Sequence, residues 1–127
     1  MPAQIRLYRL KDFIRASETG VLDVKRSKEL IRQLAAASGF HAVENILVDL
    51  RNTTIESECT ADLLDIAAEF IRYEAGFRGK IANVIPGDAR RISVAKQIRD
   101  LIGFHSSRYE IFTSFEDAID WLSEIEE

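Results

Sequence analysis

The sequence predicts an α/β domain: a mostly parallel or mixed sheet of about five strands with about four helices, in the order β-β-α-β-α-β-α-β-α. Three observations predict it. Short apolar runs alternate with segments of helical periodicity once past residue 20. The runs Ile46-Leu47-Val48 and Lys80 to Ile85 read as strands covered on both faces, as parallel strands in α/β domains are. The six glycines are dispersed at the ends of these segments. At 127 residues and 46% hydrophobic, the chain suits one domain, residues 1–127, able to bury a two- or three-layer core without metals or disulfides.

Taken in order, Gln4 to Leu10 alternates in the manner of a half-buried strand, and Phe13 to Ala16 is a weaker second candidate; both have edge character. Gly20 breaks the pattern. From Val24 to Ser38, Leu30, Ile31, Leu34, Ala35 and Ser38 recur on one side at helical spacing, and Gly39 stands where a left-handed stop would sit. The strand at Ile46 should be central. The next helix, about Thr60 to Ala75, turns Leu63, Leu64, Ala67, Ala68, Phe70 and Ile71 inward and Asp62, Asp65, Glu69 and Arg72 to water, with Gly76 and Gly79 closing it. After Lys80 to Ile85, Pro86-Gly87-Asp88 supplies a turn and an N-cap for a third helix, Ala89 to Ile102, built on Ile92, Ala95, Ile98 and Ile102 and ended by Gly103. Tyr109 to Thr113 is the last strand. Ser114-Phe115-Glu116-Asp117 then fits a capping box for a terminal helix with Phe115, Ala118, Ile119, Leu122 and Ile125 at helical spacing and Trp121 beside the stripe.

Composition narrows the function. No apolar run approaches the ~20 residues that span a bilayer, and the N-terminus lacks a signal-peptide profile, so a cytoplasmic protein without membrane insertion is expected. One cysteine, Cys59, excludes an internal disulfide, and with only His41 and His105 no cysteine-histidine metal cluster can be assembled. The net charge of -4 disfavours nucleic acid. Its distribution is uneven: residues 110–127 hold seven carboxylates and no Lys or Arg, whereas residues 1–40 hold eight basic and four acidic side chains. Solvated helix faces account for most of this, although opposite ends could pair two protomers as a homodimer or dock a charged partner.

Several stretches resemble the STAS domain, named for sulfate transporters and anti-sigma-factor antagonists, and within it the stage II sporulation protein AA-like group. Thr19-Gly20-Val21-Leu22-Asp23 resembles the turn before the first helix, and Leu47-Val48-Asp49-Leu50 the apolar-Asp-Leu strand. Ile111-Phe112-Thr113-Ser114 with Phe115-Glu116-Asp117-Ala118 resembles the closing strand and helix. In the anti-sigma branch the loop after the Asp-Leu strand carries Asp-Ser-Ser-Gly, with a phosphorylated Ser at the helix start. Counting from Asp49 puts Ser57-Glu58-Cys59-Thr60 there, with Glu58 in the phosphoserine position. The resemblance therefore implies a non-catalytic, protein-binding regulator without the usual phosphorylatable serine. Its partner would be a cytosolic protein such as an anti-sigma-factor-like kinase, and its binding surface Asp49, Arg51, Ser57, Glu58, Cys59 and Thr60, on the loop Asn52 to Thr60 and the adjoining helix.

Two readings of Glu58 are open. It can cap the first turn of the helix, where a carboxylate gains roughly 0.3–1 kcal/mol, or present one permanent negative charge where relatives place about -1.5 to -2 by phosphorylation. Asp49 and Arg51 flank Leu50 and share a strand face, as an ion pair or loop tether. Arg90, Arg91, Lys96 and Arg99 scatter around their helix and read as solvated, while Lys25, Arg26, Lys28 and Arg32 cluster more tightly at the start of the first helix. Cys59 reads as a buried or inert thiol.

The same resemblance allows an alternative, since the AA-like group also resembles lipid-carrier domains: a carrier or sensor of a small apolar or lipid-like ligand. Phe70, Ile71, Phe77, Phe104, Phe112 and Trp121 would line such a cavity or fill the core. No Gly-rich phosphate loop and no Gly-x-Ser-x-Gly elbow is present. An enzyme is thus the minority reading, with Asp49, Arg51, Glu58 and Cys59 the only clustered candidates; no cofactor is expected.

Overall fold

A computed structural model of the chain describes residues 13–41, 45–56, 59–73, 76–77, 79–103 and 108–123. Strands and helices alternate strictly: β1 (Phe13–Leu22), α1 (Val24–His41), β2 (Asn45–Ile55), α2 (Thr60–Tyr73), β3 (Ile81–Val84), α3 (Ala89–Ile102), β4 (Tyr109–Phe112) and α4 (Phe115–Ser123). The four strands form one parallel sheet in the order β1-β2-β3-β4. The expected strand Gln4 to Leu10 lies outside the described residues, so the described sheet has four strands where five were expected.

Strands that follow one another in space as in sequence dictate where the helices go. Crossovers between parallel strands take one hand, so α1, α2 and α3 cover the same face of the sheet. Their core joins Leu34 of α1, Ala67 and Phe70 of α2 and Ile102 of α3 to Ile46, Val48, Leu50 and Ile81. α4 follows the last strand and packs on the opposite face, where Ala118, Ile119 and Leu122 meet Leu47, Ala82 and Val84. The alternation of Ile46, Val48 and Leu50 with Leu47 explains the continuous apolar run: each face of β2 needs its own set.

Local chemistry sets several boundaries. Asp88 caps α3, its Oδ1 accepting from the Arg91 amide at 2.8 Å, and the helix keeps the bounds its flanking turn and glycine predict. Ser114 Oγ accepts from the Asp117 amide at 3.4 Å at the start of α4. On the α4 side, Asn45 Oδ1 accepts from the Lys80 amide at 3.0 Å and its Nδ2 donates to the Leu122 carbonyl at 3.4 Å, tying two strands to the helix. Lys80, buried, donates to the Trp121 carbonyl at 2.8 Å near the negative end of α4.

Other boundaries depart from expectation. β1 runs on from Ala16 through Gly20 to Leu22, because pairing with β2 supplies the backbone partners that its weak pattern does not advertise. A bulge between Ser17 and Thr19 interrupts that register. Glu18, at the bulge, receives Arg26 Nε and Arg26 Nη2, the latter at 3.0 Å, and so ties β1 to α1. α1 passes Gly39 and continues to His41, since glycine permits a left-handed stop without requiring one. In α2, Glu69 is 8% exposed and Leu64 is 48% exposed. Its inward face is therefore turned from the expected one, with Lys28 of α1 reaching Glu69 at 3.5 Å.

Gly20 sits within β1 at φ +90°, a region L-residues avoid, although a Cβ there would meet nothing within 4 Å. Gly20→Ala should therefore lower stability by about 1–2 kcal/mol through backbone strain alone. Gly87→Ala, equally free of neighbours, should stay within about 0.5 kcal/mol. Urea unfolding of the two variants measures the difference, and equal midpoints would contradict it.

Candidate functional site

The three-helix face holds a cavity of about 390 Å³ that is partly open to solvent. Its walls follow from the side-chain pattern. Val48, Leu50 and Ile81 line it from the sheet, Leu30, Ile31 and Leu34 from α1, Leu63 and Ile66 from α2, and Val94, Ala95 and Ile98 from α3. Aliphatic side chains and one alanine along α3 leave the space open. Aromatic rings gather toward the amino ends of the strands: Phe70 stacks on Phe77 at 5.2 Å and meets Tyr109 edge-on at 5.5 Å. At the carboxyl ends the lining turns polar, with Asp23, Lys25 and Ser27 from the start of α1, Glu56 after β2 and Asp62 in the first turn of α2.

Three polar groups reach into the apolar part. Asn83 projects from β3 on the face it shares with Val48, and its Nδ2 donates to Tyr109 Oη at 2.8 Å. Asn83 Oδ1 is buried without a partner. Burial pushes the Tyr109 hydroxyl above its usual titration range, so it stays protonated and able to donate. Arg91, in the first turn of α3, is only 6% exposed. Its guanidinium donates to the Thr53 carbonyl at 3.0 Å and to Thr53 Oγ1 at 2.7 Å, and among the described residues no carboxylate forms an ion pair with it. Burial lowers its pKa, opposed by Asp88.

The expected partner-binding residues divide between two places. Asp49 and Arg51 do form the anticipated ion pair: Arg51 Nε reaches Oδ1 at 2.9 Å, Nη2 reaches Oδ2 at 2.8 Å, and the Arg51 amide adds a bond to Oδ1 at 3.2 Å. Arg15 approaches Oδ2 at 3.7 Å, and both guanidiniums lie over the Phe115 ring, at 4.8 and 5.5 Å. This cluster is on the α4 side, across the sheet from the cavity. Cys59 and Thr60 open α2, the Cys59 carbonyl accepting from the Asp62 and Leu63 amides at 3.0 and 3.1 Å. The Cys59 thiol is exposed rather than buried, and Asn52 to Ile55, expected as loop, belong to β2. Ser57, Glu58, Phe104 and His105 lie outside the described residues.

Of the expected cavity residues, Phe70 and Phe77 line the space, whereas Phe112 and Trp121 pack together on the α4 side at 5.6 Å. Ile71 does not line it. Arg91, expected in solvent, is buried, because α3 turns Arg91, Val94 and Ala95 inward with Ile102. Asn83 was legible as the one polar side chain in the apolar run 81–85; Arg91 was legible only through its three- and four-residue spacing from Val94 and Ala95. Two of the four basic residues of the α1 cluster form ion pairs, Arg26 with Glu18 and Glu29 and Lys28 with Asp65 and Glu69, and Arg32 Nε donates to the Lys28 carbonyl at 3.3 Å. Among the described residues, no three of His, Cys, Asp and Glu gather to hold a metal ion. No described helix is long and apolar enough to cross a membrane.

Hydrogen bonds from Arg51 hold the Asp49 carboxyl below its ordinary value of 3.8, and those from Arg26 hold Glu18 below 4.5, each against the opposing effect of burial. Folded pKa values depressed in this way add stability that is complete above the unfolded values and lost as pH falls through the folded ones. Arg51→Ala should lower stability at neutral pH by about 1 kcal/mol and move acid unfolding to higher pH. Circular dichroism followed from pH 7 to 2 tests this; an unmoved acid midpoint would show that the pair adds nothing.

Compared with protein-family models, with curated proteins and with solved structures, the chain matches none.

Proposed function

We propose that the domain binds a small apolar or amphipathic molecule between its sheet and α1, α2 and α3, as a carrier or sensor rather than a catalyst. The cavity carries this reading. Protein interiors pack to the density of organic crystals, with few voids larger than a water. Apolar walls that face so large a space forgo the dispersion contacts a packed core would give them, and a bound apolar molecule restores those contacts. The volume of 390 Å³ falls within the range of about 300–1,000 Å³ typical of small-molecule sites, and the few polar groups in an apolar wall match their make-up. At about 30 Å³ per water-sized group, the space takes on the order of a dozen such groups.

The protein-binding reading centred on Ser57 and Glu58 has its two central residues outside the described part. Asp49 and Arg51 are engaged with each other and with Phe115, which supports a role in holding β2 against α4. The reading rests on the cavity and its lining.

Native mass spectrometry of freshly purified protein should show a co-purifying mass of lipid size. After that molecule is stripped, the neutral fluorophore N-phenyl-1-naphthylamine should bind saturably. Ala95 lines the cavity, so Ala95→Phe should weaken the fluorophore about tenfold or more, a difference of about 1.4 kcal/mol, with a melting temperature unchanged or raised. Absence of both the mass and saturable fluorescence would sink the reading.

A further inference from the structure

The cavity's polar groups go further and specify the charge of what it holds. This rests on the cavity reading above. A purely hydrocarbon occupant would leave Asn83 Oδ1 without a partner and would leave the charge of the Arg91 guanidinium, hydrogen-bonded to Thr53, paired with no carboxylate among the described residues.

The two groups do not carry equal information. The Asn83 amide can turn either its oxygen or its nitrogen toward Tyr109 Oη, because a hydroxyl both donates and accepts. It therefore suits a donor or an acceptor equally. Arg91 has one sign. Of its five N–H donors, two are engaged by Thr53. A buried guanidinium without an anion is costly, and a carboxylate that reaches it gains charge-assisted hydrogen bonds in a medium that screens poorly. Asp88 favours its charge, yet its Oδ1 is used to cap the α3 amide. Glu56 and Asp62 lie on the polar rim, while the hydrogen bonds of the Arg91 guanidinium go to Thr53. Arg91 and Tyr109 both line the cavity.

We propose that the cavity selects a monoanionic amphiphile of the carboxylic-acid class, with its carboxylate on Arg91 and its apolar body along Leu34, Phe70 and Ile98. The rim sets three carboxylates, Asp23, Glu56 and Asp62, against the single ammonium of Lys25, so its net negative charge disfavours an anionic head group at the mouth and favours one on Arg91.

The test uses stripped full-length protein and two probes of equal chain length, dodecanoate and 1-dodecanol, at pH 8, each displacing N-phenyl-1-naphthylamine. Wild type should prefer dodecanoate by about tenfold or more. Arg91→Gln should bring the ratio close to one while leaving dodecanol affinity nearly unchanged, which separates charge recognition from a merely structural loss. Arg91→Lys should restore part of the preference. Should Arg91→Gln not fold, carbon-13 NMR of carboxyl-labelled dodecanoate on wild type decides instead: the bound carboxyl should titrate below its free value. Equal affinity for the two probes, or a preference that survives in Arg91→Gln, overturns the anion assignment while the cavity reading stands. Binding of neither probe overturns both.

Discussion

The sequential order of four parallel strands governs this molecule. Because each crossover steps to the neighbouring strand in the same direction, three helices accumulate on one face, and among the described residues the other is covered by the nine-residue α4. The two faces then meet different packing problems. On the α4 side, one short helix settles closely on Leu47, Ala82 and Val84, and side-chain clasps from Asn45 and Lys80 hold its carboxyl end. Across the sheet, three longer helices pack against one another as well as on the strands. Their contacts are shared, and aliphatic side chains at Leu63, Val94 and Ala95 do not fill the space between.

Polar chemistry is distributed in keeping with that asymmetry. The α4 side holds its charges in satisfied groups, with Asp49 receiving three hydrogen bonds from Arg51 and two guanidiniums resting on Phe115. The three-helix side keeps polar groups whose capacity is only partly used. Asn83 Oδ1 is buried without a partner, and Arg91 is buried with two hydrogen bonds to Thr53 and no ion pair among the described residues; a buried polar atom without a partner costs free energy.

Much of the architecture was legible because local signals agreed. α3 spans the predicted residues, for Pro86-Gly87-Asp88 forms a turn ending in a cap and Gly103 follows the last helical residue. The runs at Ile46 and Ile81 read as buried strands because they are buried on both faces. β1 was read short since its residues from Ser17 to Gly20 carry no strand pattern, and their extended form comes from pairing with β2. The inward face of α2 departs from its periodicity for a related reason: Glu69 is buried beside Lys28 of another helix, which periodicity within α2 cannot register. The site was legible only in part. Phe70 and Phe77 were identified as possible lining, but Arg91 looked like one of several solvated charges.

By itself, the sequence determined the α/β class, the alternation of elements, the bounds of α3 and the Asp49–Arg51 pair, because each depends on contacts or periodicities within a few residues of chain. Only the tertiary structure decided the strand order, the length of β1, the depth of Arg91 and the existence of a cavity. These depend on how far apart helices from separate crossovers come to rest. A void is a property of the space between elements, and no single segment encodes it.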